Sequence, residues 1–511
     1  MTGRFTALDA GIIVAYLIVL TAVGIYFSRG QTDLLEYFVA RRRMSWLPVG
    51  LSLMAALNSG IDYLMQPSAT IRFGLVLLAG TSSWIFVYPW VSRVTLPFYR
   101  RLKVYTAYEY LEARFDVRVR TLAATIFIVW RLGWMATALY VPCLAIDAAT
   151  GSRVDLRLVI AILGVLVTAY TMLGGITAVI WNDVIQFCVM FGGLGTTMWI
   201  VSTHVPGGWP ELWSAAGRAG AAAPSIAMPA DPGLLDRLRY VFMQPITLPA
   251  LVITMILGRM ASYTSDQVMV QRFQTTRSVG DARRAFVINA AGDAVWMFGL
   301  SLIGVALLAY FTHHPLPAQY EGDKILPYFM SQVFPSGAVG LVIAAILAAS
   351  LSSIDSAINS CTSVFVIDIF NRLRNAPATS HGQVRLARVT TVVLGLTGTV
   401  LAMNVARIGT LLEIANKLIN AFSGPLFGIY LAAMFSRTTS GAVLVGGLLG
   451  TFVSYYTAYH TAISFLWPSA FGLVATVAVS VAIGALGSAA GAPMARPAEQ
   501  LTWYDVMRAA G

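Results

Sequence analysis

Residues 349–360 read ASLSSIDSAINS, a run of small and hydroxyl-bearing residues inside a segment otherwise apolar enough to cross a bilayer. In a helix, Ala349, Ser352, Ser353 and Ser356 share one face, because they recur with the helical turn. Oxygen atoms in hydrocarbon are costly unless something binds them, and such oxygens suit a hard cation such as Na⁺. Small residues also let helices pack closely, and the stripe taken by itself favours that second explanation.

The composition indicates a protein that crosses the membrane many times. Of the 511 residues, 57% are hydrophobic and only 11% are charged, and the mean hydropathy is +0.72. We expect an all-α membrane protein, folded as a single transmembrane domain over 1–511, with about thirteen spans. The spans are expected near 8–28, 46–68, 74–97, 120–147, 155–173, 177–202, 240–266, 284–311, 336–369, 386–404, 409–435, 440–457 and 464–487.

The basic residues indicate how these spans are oriented. The net charge is +11, and arginines and lysines concentrate after the first, third, seventh and ninth spans, which puts them on one side if spans alternate. By the positive-inside rule that side is cytoplasmic. The N-terminus is then outside the cell (inner) membrane and the short tail, 488–511, is inside. The positive charge therefore points to a lipid bilayer, not to nucleic acid, as the partner.

Other classes of function find no support in the sequence. The three cysteines lie in predicted spans, so no disulfide framework is indicated, and no P-loop is present. No nucleophile is paired with a base as catalysis would require, so we do not expect an enzyme.

Two predicted spans contain helix-breaking residues. Residues 58–60 (NSG) and Pro67 interrupt the second span, and Pro245 and Pro249 interrupt the seventh. Broken membrane segments mark the binding sites of transporters, where unwound carbonyl groups coordinate a cation. A simple kink, satisfied by neighbouring helices, explains the second span equally well.

Ionisable residues at membrane depth indicate a polar interior. Each costs about 2.5–3.5 kcal/mol at a helix centre before it finds a partner. They form a pathway, a set of ion pairs, or both. These residues are Asp62, Arg131, Asp183, Arg259, Asp293, Asp355 and Lys417.

Several long motifs occur in the order and spacing of one transporter family. They are 170–186 (YTMLGGITAVIWNDVIQ), 266–273 (DQVMVQRF), 352–360 (SSIDSAINS) and 424–428 (GPLFG). These motifs resemble signatures of the sodium/solute symporter family. Residues 67–74 (PSATIRFG) and 106–115 (TAYEYLEARF) are most similar to its branch for iodide, monocarboxylates and vitamins.

The resemblance implies a LeuT-like fold, with a five-plus-five inverted repeat over 46–435 and an extra N-terminal helix. It also implies a sodium site between the second and ninth spans. The ligands would be the carbonyl oxygens of Ala55, Asn58 and Ala349 and the hydroxyl groups of Ser352 and Ser353.

A second sodium site of some family members is implied as well. Asp183 matches its carboxylate, with Ser352 and Ser356 opposite. Asp355 stands where some relatives have a small hydroxyl residue. It either strengthens this second site or pairs with a basic residue.

Asp62 and Arg131 depart from the branch with anionic substrates, where the matching positions are usually or often uncharged. Both are expected near the midplane, where symporters bind solute. Either Arg131 binds a substrate carboxylate and Asp62 an ammonium group, or the two form an ion pair that touches no substrate. Trp84, at similar depth, lines the cavity or simply packs.

These residues and this resemblance together predict a Na⁺-coupled symporter that imports a small organic anion, such as a monocarboxylate, by alternating access. A zwitterionic, amino-acid-like solute and a solute sensor on the same fold are the alternatives. The expected partners are a small-molecule substrate, sodium ions and the lipid bilayer.

Overall fold

The structure is a computed structural model, and it describes residues 5–28, 33–102, 104–150, 154–220, 231–317, 322–374, 381–405, 411–489 and 501–508. Within these ranges every regular element is a helix, as the composition predicts. Nine of the described helices are long and apolar enough to cross a membrane, or ten if one bent pair is a single span. The expected number of thirteen is therefore not confirmed.

The chain is built from fourteen main helices, of which α4 begins as a 3-10 helix and contains a π turn at Val91–Thr95. Shorter helices connect them. The main helices are α1 (Ala7–Ser28), α2 (Trp46–Leu57), α3 (Gly60–Phe73), α4 (Leu75–Leu102), α5 (Val117–Thr150), α6 (Leu156–Thr203), α7 (Leu248–Ser265), α8 (Gln267–Thr275), α9 (Val279–His313), α10 (Ala338–Val364), α11 (His381–Ala402), α12 (Leu411–Phe435), α13 (Ser440–His460) and α14 (Pro468–Ala489). The shorter ones include Leu34–Val39, Glu109–Arg114, Gly208–Arg218, Leu234–Met243, Ile325–Val333 and Trp503–Arg508.

The second predicted span is two helices, α2 and α3. Asn58 ends α2 with φ −99° and ψ 139°, and Ser59 is also extended, with φ −125° and ψ 168°. The helices have 12 and 14 residues, and neither reaches the ~20 residues that a span needs. The break at this point is a true interruption of the helix and not a kink.

The fifth and sixth predicted spans run as one helix. α6 has 48 residues and bends at Gly175, where φ is +58°. Glycine adopts this left-handed conformation readily because it has no Cβ to clash with the backbone. The chain therefore changes direction between the two predicted spans without a loop.

The seventh predicted span is broken twice. A bend of 51° separates Leu234–Met243 from α7 at the predicted prolines, and Pro249 lies in the first turn of α7. A second break, which the sequence analysis missed, falls at Asp266, where φ is −90° and ψ is 117°. The Asp266 side chain caps α8 by accepting a hydrogen bond from the Val268 amide (2.9 Å).

α10 is the central helix of the molecule. Every side chain from Val342 to Val364 is buried. The helix packs against α1, α5, α6 and both halves of the broken second span, whereas α12, α13 and α14 pack mainly on one another beside it. The hydroxyl-bearing face of α10 therefore points into protein.

The arginine-rich loops after the first, third and seventh spans meet on one side of the molecule. Arg277 donates to the carbonyl oxygen of Arg43 (2.9 Å), and Arg100 donates to that of Thr276 (3.0 Å). Residues 501–508 of the expected tail pack on the same side. That this side is cytoplasmic stays a prediction, as do the boundaries of the single domain and its repeat core.

Candidate functional site

The hydroxyl groups of α10 face the break between α2 and α3. The Ser352 hydroxyl oxygen lies 2.9 Å from the carbonyl oxygens of both Ala55 and Ala349. The Ser353 hydroxyl oxygen lies 3.3 Å from the carbonyl oxygen of Asn58 and 3.4 Å from that of Ala349. The structure thus brings together all five residues that the resemblance assigns to the first sodium site.

The break frees two carbonyl oxygens that a continuous helix would use internally. In an unbroken helix the Ser59 amide would donate to Ala55, and the Asp62 amide to Asn58. Instead the Ser59 amide donates to the Asp62 carboxylate (2.7 Å), and the Asp62 amide donates to the Ser59 carbonyl (3.1 Å). The Ser59 hydroxyl accepts from the Ile61 amide (3.2 Å) and completes the capping box. Asp62 therefore helps to keep the helix break open at the place where the first sodium site is predicted.

This group of oxygens fits a small monovalent cation. All five contributing groups are neutral carbonyl or hydroxyl oxygens, the ligand type that hard cations prefer. None of the five residues is more than 2% exposed. Such a site would hold Na⁺ by exchanging its hydration shell for oxygens of the broken helix and of α10.

Asp183, assigned to the second sodium site, already contacts a fixed cation. Arg272 of α8 donates to Asp183 Oδ2 (2.9 Å) and contacts the Ser356 hydroxyl. Ser52 donates to the same Asp183 oxygen (2.5 Å) and accepts from Arg272 Nε (2.8 Å). The guanidinium thus bridges Asp183 and Ser356, between which the second ion is expected. That ion site stays a prediction.

Arg131 and Asp62 each have another partner. Arg131 forms a buried salt bridge with Asp266 at the break between α7 and α8, and lies over the Trp130 ring, 4.6 Å from its centroid. Asp62 caps α3, as described above. The proposed Asp62–Arg131 ion pair is therefore replaced by an Arg131–Asp266 pair, and substrate contact by Asp62 or Arg131 stays a prediction.

Trp84 belongs to a separate buried cluster. Its indole Nε1 donates to Asp293 Oδ2 (2.8 Å), and the Arg259 guanidinium lies 4.2 Å from the centroid of its ring. Arg259 also pairs with Asp293 (2.5 Å) and donates to Ser83 Oγ (2.6 Å). These contacts join α4, α7 and α9, so Trp84 packs within the protein, and its contact with solute stays a prediction.

The chain was compared with models of known protein families. A model of the sodium:solute symporter family matches residues 37–450, which contain both helix breaks and α10. The chain belongs to this family. Its membership makes the protein a sodium-coupled symporter of a small solute, with Na⁺ as the coupling ion, and not an enzyme.

Several curated relatives are similar over most of their length. The chain is 30% identical to the sodium/sialic acid symporter SiaT of Proteus mirabilis, over 98% of each protein. It is 30% identical to the sodium/sialic acid symporter NanT of Aliivibrio fischeri, over 91% of this chain and 90% of that one. The sodium-dependent multivitamin transporter of Oryctolagus cuniculus is also 30% identical, over 89% of this chain and 71% of that protein.

Solved structures show the same fold. A substrate-bound, outward-open Na⁺-coupled sialic acid symporter matches with a TM-score of 0.83 and 28% identity, over 94% of this chain and 98% of that one. Mhp1, a nucleobase-cation symporter, matches with a TM-score of 0.60 at 15% identity and shares the fold alone. The symporter of known structure supports the LeuT-like fold that the resemblance implies.

The roles of Asp266 and Arg272 in this symporter were not predicted from the sequence. Arg272 follows the seventh predicted span and is counted there among loop arginines, yet the structure buries it completely. The available signal for Asp266 was the preference of aspartate for the N-cap position of a helix. Both residues lie in the quoted motif 266–273.

Proposed function

We propose that this symporter imports a small organic solute that carries a carboxylate, by alternating access driven by the sodium gradient. The group of five oxygens at the first helix break carries the proposal. It joins the α2–α3 break to α10, so a bound Na⁺ would hold these elements together and its release would let them separate. An inward membrane potential contributes about 2.3 kcal/mol per ion per 100 mV.

A carboxylate is proposed because it is common to the two kinds of solute for which the relatives are named. SiaT and NanT are named for sialic acid, and the human sodium-coupled monocarboxylate transporter 1 is named for monocarboxylates. Both kinds of solute are organic acids. Sialic acid is therefore the first solute to test, and a monocarboxylate such as lactate the second.

Arg131 is the proposed partner of the substrate carboxylate. A guanidinium binds a carboxylate with two parallel hydrogen bonds. Arg131 is 7% exposed, and its Nε is buried without a hydrogen-bond partner among the described residues. Because Asp266 already contacts this guanidinium, a substrate carboxylate would share Arg131 with Asp266 or displace it.

A zwitterionic solute is the second candidate, and Asp62 favours it. In the described ranges Asp62 forms no salt bridge with a basic side chain, and its carboxylate binds the Ser59 amide. A positive group on the solute would give this carboxylate an opposite charge. The solute's own carboxylate would still be left to Arg131.

The proposed orientation follows the arginine-rich loops. Their contacts with one another place the loops after the first, third and seventh predicted spans on one side of the molecule. We place that side in the cytoplasm and the N-terminus outside the inner membrane, because short basic loops are retained on the cytoplasmic side.

Uptake into proteoliposomes tests this function. Sialic acid, lactate, nicotinate and alanine, each radiolabelled, are supplied with an inward Na⁺ gradient and again with K⁺ in its place. We expect one carboxylate to accumulate only with Na⁺. Uptake that is the same with either cation would contradict the proposal. Solute binding that needs Na⁺, without accumulation, would indicate a sensor.

A further inference from the structure

A small cavity lies on the side of the molecule where the arginine-rich loops meet. The segment after α1, the last turns of α4, the end of α8 and the start of α9 surround it. Its volume is about 20 Å³, which is room for one atom of the size of a water oxygen. Arg42 and Arg100 line it and are half-buried, and Ser278 at its edge is exposed, so the cavity is reached from the surface. No acidic side chain is among the described residues that line it.

The two arginines bring positive charge to this cavity. Arg100 donates to the carbonyl oxygen of Thr276 (3.0 Å), and Arg42 donates to that of Val104 (3.3 Å). Burial and the charge of Arg100 lower the pKa of Arg42 from its ordinary value, and the carboxylate of Glu109 acts in the opposite direction. The two guanidinium groups are therefore close enough to repel each other, and an anion in the cavity would relieve this repulsion.

A third polar side chain lines the cavity. Gln274 of α8 is 5% exposed, and both polar atoms of its side-chain amide are buried without a hydrogen-bond partner among the described residues. Such atoms are rare in proteins unless a water or an ion satisfies them. The amide nitrogen is a donor that an anion in the cavity could use.

The start of α9 adds backbone donors at the same place. The Ser278 hydroxyl accepts from the Asp281 amide (3.0 Å), and the Ser278 carbonyl oxygen accepts from the Ala282 amide (3.0 Å). The amides of Val279 and Gly280 precede the first bond within the helix. Ser278 and Val279 line the cavity, whereas Asp281 does not. A helix start of this kind favours a negatively charged group such as phosphate.

We propose that a phosphoryl group binds in this cavity, with one of its oxygen atoms in the enclosed space and the rest at the surface. The group would come from the headgroup of an anionic lipid or from free phosphate. Guanidinium groups and helix-start amides are common donors to phosphoryl oxygens. Basic pockets between membrane helices on the cytoplasmic side, where we place this cavity, bind anionic headgroups in other membrane proteins.

The bound group would tie together four elements on this side of the protein. Arg42 follows the N-terminal helix α1, Arg100 lies in the last turn of α4, Gln274 lies in α8, and Ser278 caps α9. α8 begins at the second helix break, so the anion would also stabilise the position of the helix that carries Arg272. The site goes beyond the proposed function, because its binding needs neither solute nor Na⁺.

Two measurements without solute test the site and separate the two sources. In the first, the protein in a neutral detergent is dialysed against radiolabelled inorganic phosphate at constant ionic strength. In the second, thermal unfolding is followed in phosphatidylcholine vesicles with and without phosphatidylglycerol. We expect saturable binding of one phosphate for each chain, a higher unfolding temperature with phosphatidylglycerol, or both. A response to phosphate alone identifies free phosphate as the source, and a response to phosphatidylglycerol alone identifies the lipid headgroup.

Three variants locate the site. Arg100→Gln and Gln274→Leu each remove a side-chain donor and should weaken phosphate binding about tenfold, or remove the effect of phosphatidylglycerol. Gln274→Leu leaves the net charge unchanged, so it does not alter diffuse attraction of anions. Arg283→Gln is the matched control, since Arg283 also donates to a backbone carbonyl oxygen of α4, that of Ser92 (3.1 Å), but does not line the cavity. It should respond as the wild type does.

Three results would overturn the inference. The first is the absence of a response in both measurements, and the second is a response that Arg100→Gln and Gln274→Leu leave intact. The third is a loss in Arg283→Gln as large as in Arg100→Gln, as expected if anions are attracted only by the basic surface. If Arg100→Gln does not fold, Gln274→Leu decides. Failure of Na⁺-driven uptake would refute the proposed function and would leave these binding results valid.

Discussion

The helix breaks at Asn58–Ser59 and at Asp266 are built alike but face different neighbours. Each puts extended backbone between two helices and a polar side chain at the N-cap of the second helix. At the first break, Asp62 binds a backbone amide, and the freed carbonyl oxygens face neutral hydroxyls of α10. At the second break, the carboxylate of Asp266 faces the guanidinium of Arg131.

The side chains that face a helix break therefore decide whether it suits an ion or an ion pair. At the first break, neutral oxygens on both sides suit a cation that would bind and leave in each transport cycle. A guanidinium is a cation that cannot leave, so the second break is an ion-pair site. A competing carboxylate, from the protein or from the solute, would have to displace Asp266 from Arg131 to break this ion pair.

The largest effect is expected when the second break loses its charge pair. Asp266→Ala leaves the Arg131 guanidinium buried and unpaired, and should lower the free energy of unfolding by about 3–5 kcal/mol. Thermal unfolding of the purified protein in detergent measures this change. Asp266→Asn is the matched variant, because asparagine also caps helices well but carries no charge. It should lose nearly as much stability as the alanine variant.

A double-mutant cycle checks the cause of this loss. Combining Asp266→Ala with Arg131→Ala removes both charges and should restore much of the stability. If Asp266→Ala alone were as stable as the wild type, the ion pair would not be what stabilises the second break.

Arg131→Ala should also weaken solute binding while Na⁺ binding at the first break persists.

An intermediate effect is expected at the first break. Ser352→Ala and Ser353→Ala each remove one of the proposed ligand oxygens. Losing one contact to a charged group lowers the binding free energy by about 1.5 kcal/mol, so the Na⁺ concentration for half-maximal uptake should rise roughly tenfold. Ser363→Ala is the control, since this buried hydroxyl of α10 bonds to the Ser360 carbonyl oxygen (2.8 Å). Unchanged Na⁺ dependence in both variants would show that Ser352 and Ser353 serve helix packing and not sodium binding.

The smallest effect is expected at Asp62. Asp62→Ala frees the Ser59 amide to donate to the Ala55 carbonyl oxygen. Losing this helix cap costs about 1 kcal/mol, so the Na⁺ concentration for half-maximal uptake should rise roughly fivefold. Asp62→Asn keeps an acceptor for the amide and should bind Na⁺ nearly as the wild type does. A selective loss of zwitterion uptake in Asp62→Asn would favour the second candidate substrate. Equal Na⁺ affinity in Asp62→Ala would show that the cap does not shape the site.

The elements of the predicted first sodium site could be identified from the sequence because each of them is a local pattern. The breaker residues 58–60 predict where α2 ends, and the helical spacing of Ser352 and Ser353 predicts a shared face. The family resemblance then supplied the ligands that pair these two segments. The break at Asp266 was missed because a single N-cap residue inside a long motif is a weak signal beside the prolines at Pro245 and Pro249.

The amino-acid sequence was enough to predict the all-helical membrane class, the family and the first helix break, and the resemblance implied the ligands of the predicted sodium site. The partners of the buried charges became visible only in the tertiary structure: Asp266 for Arg131, Arg272 for Asp183, and the hydroxyl groups of Tyr170 and Ser356 for Asp355. Periodicity fixes which residues share a helix face, whereas a buried charge pairs with the opposite charge that the packing of distant helices brings within reach.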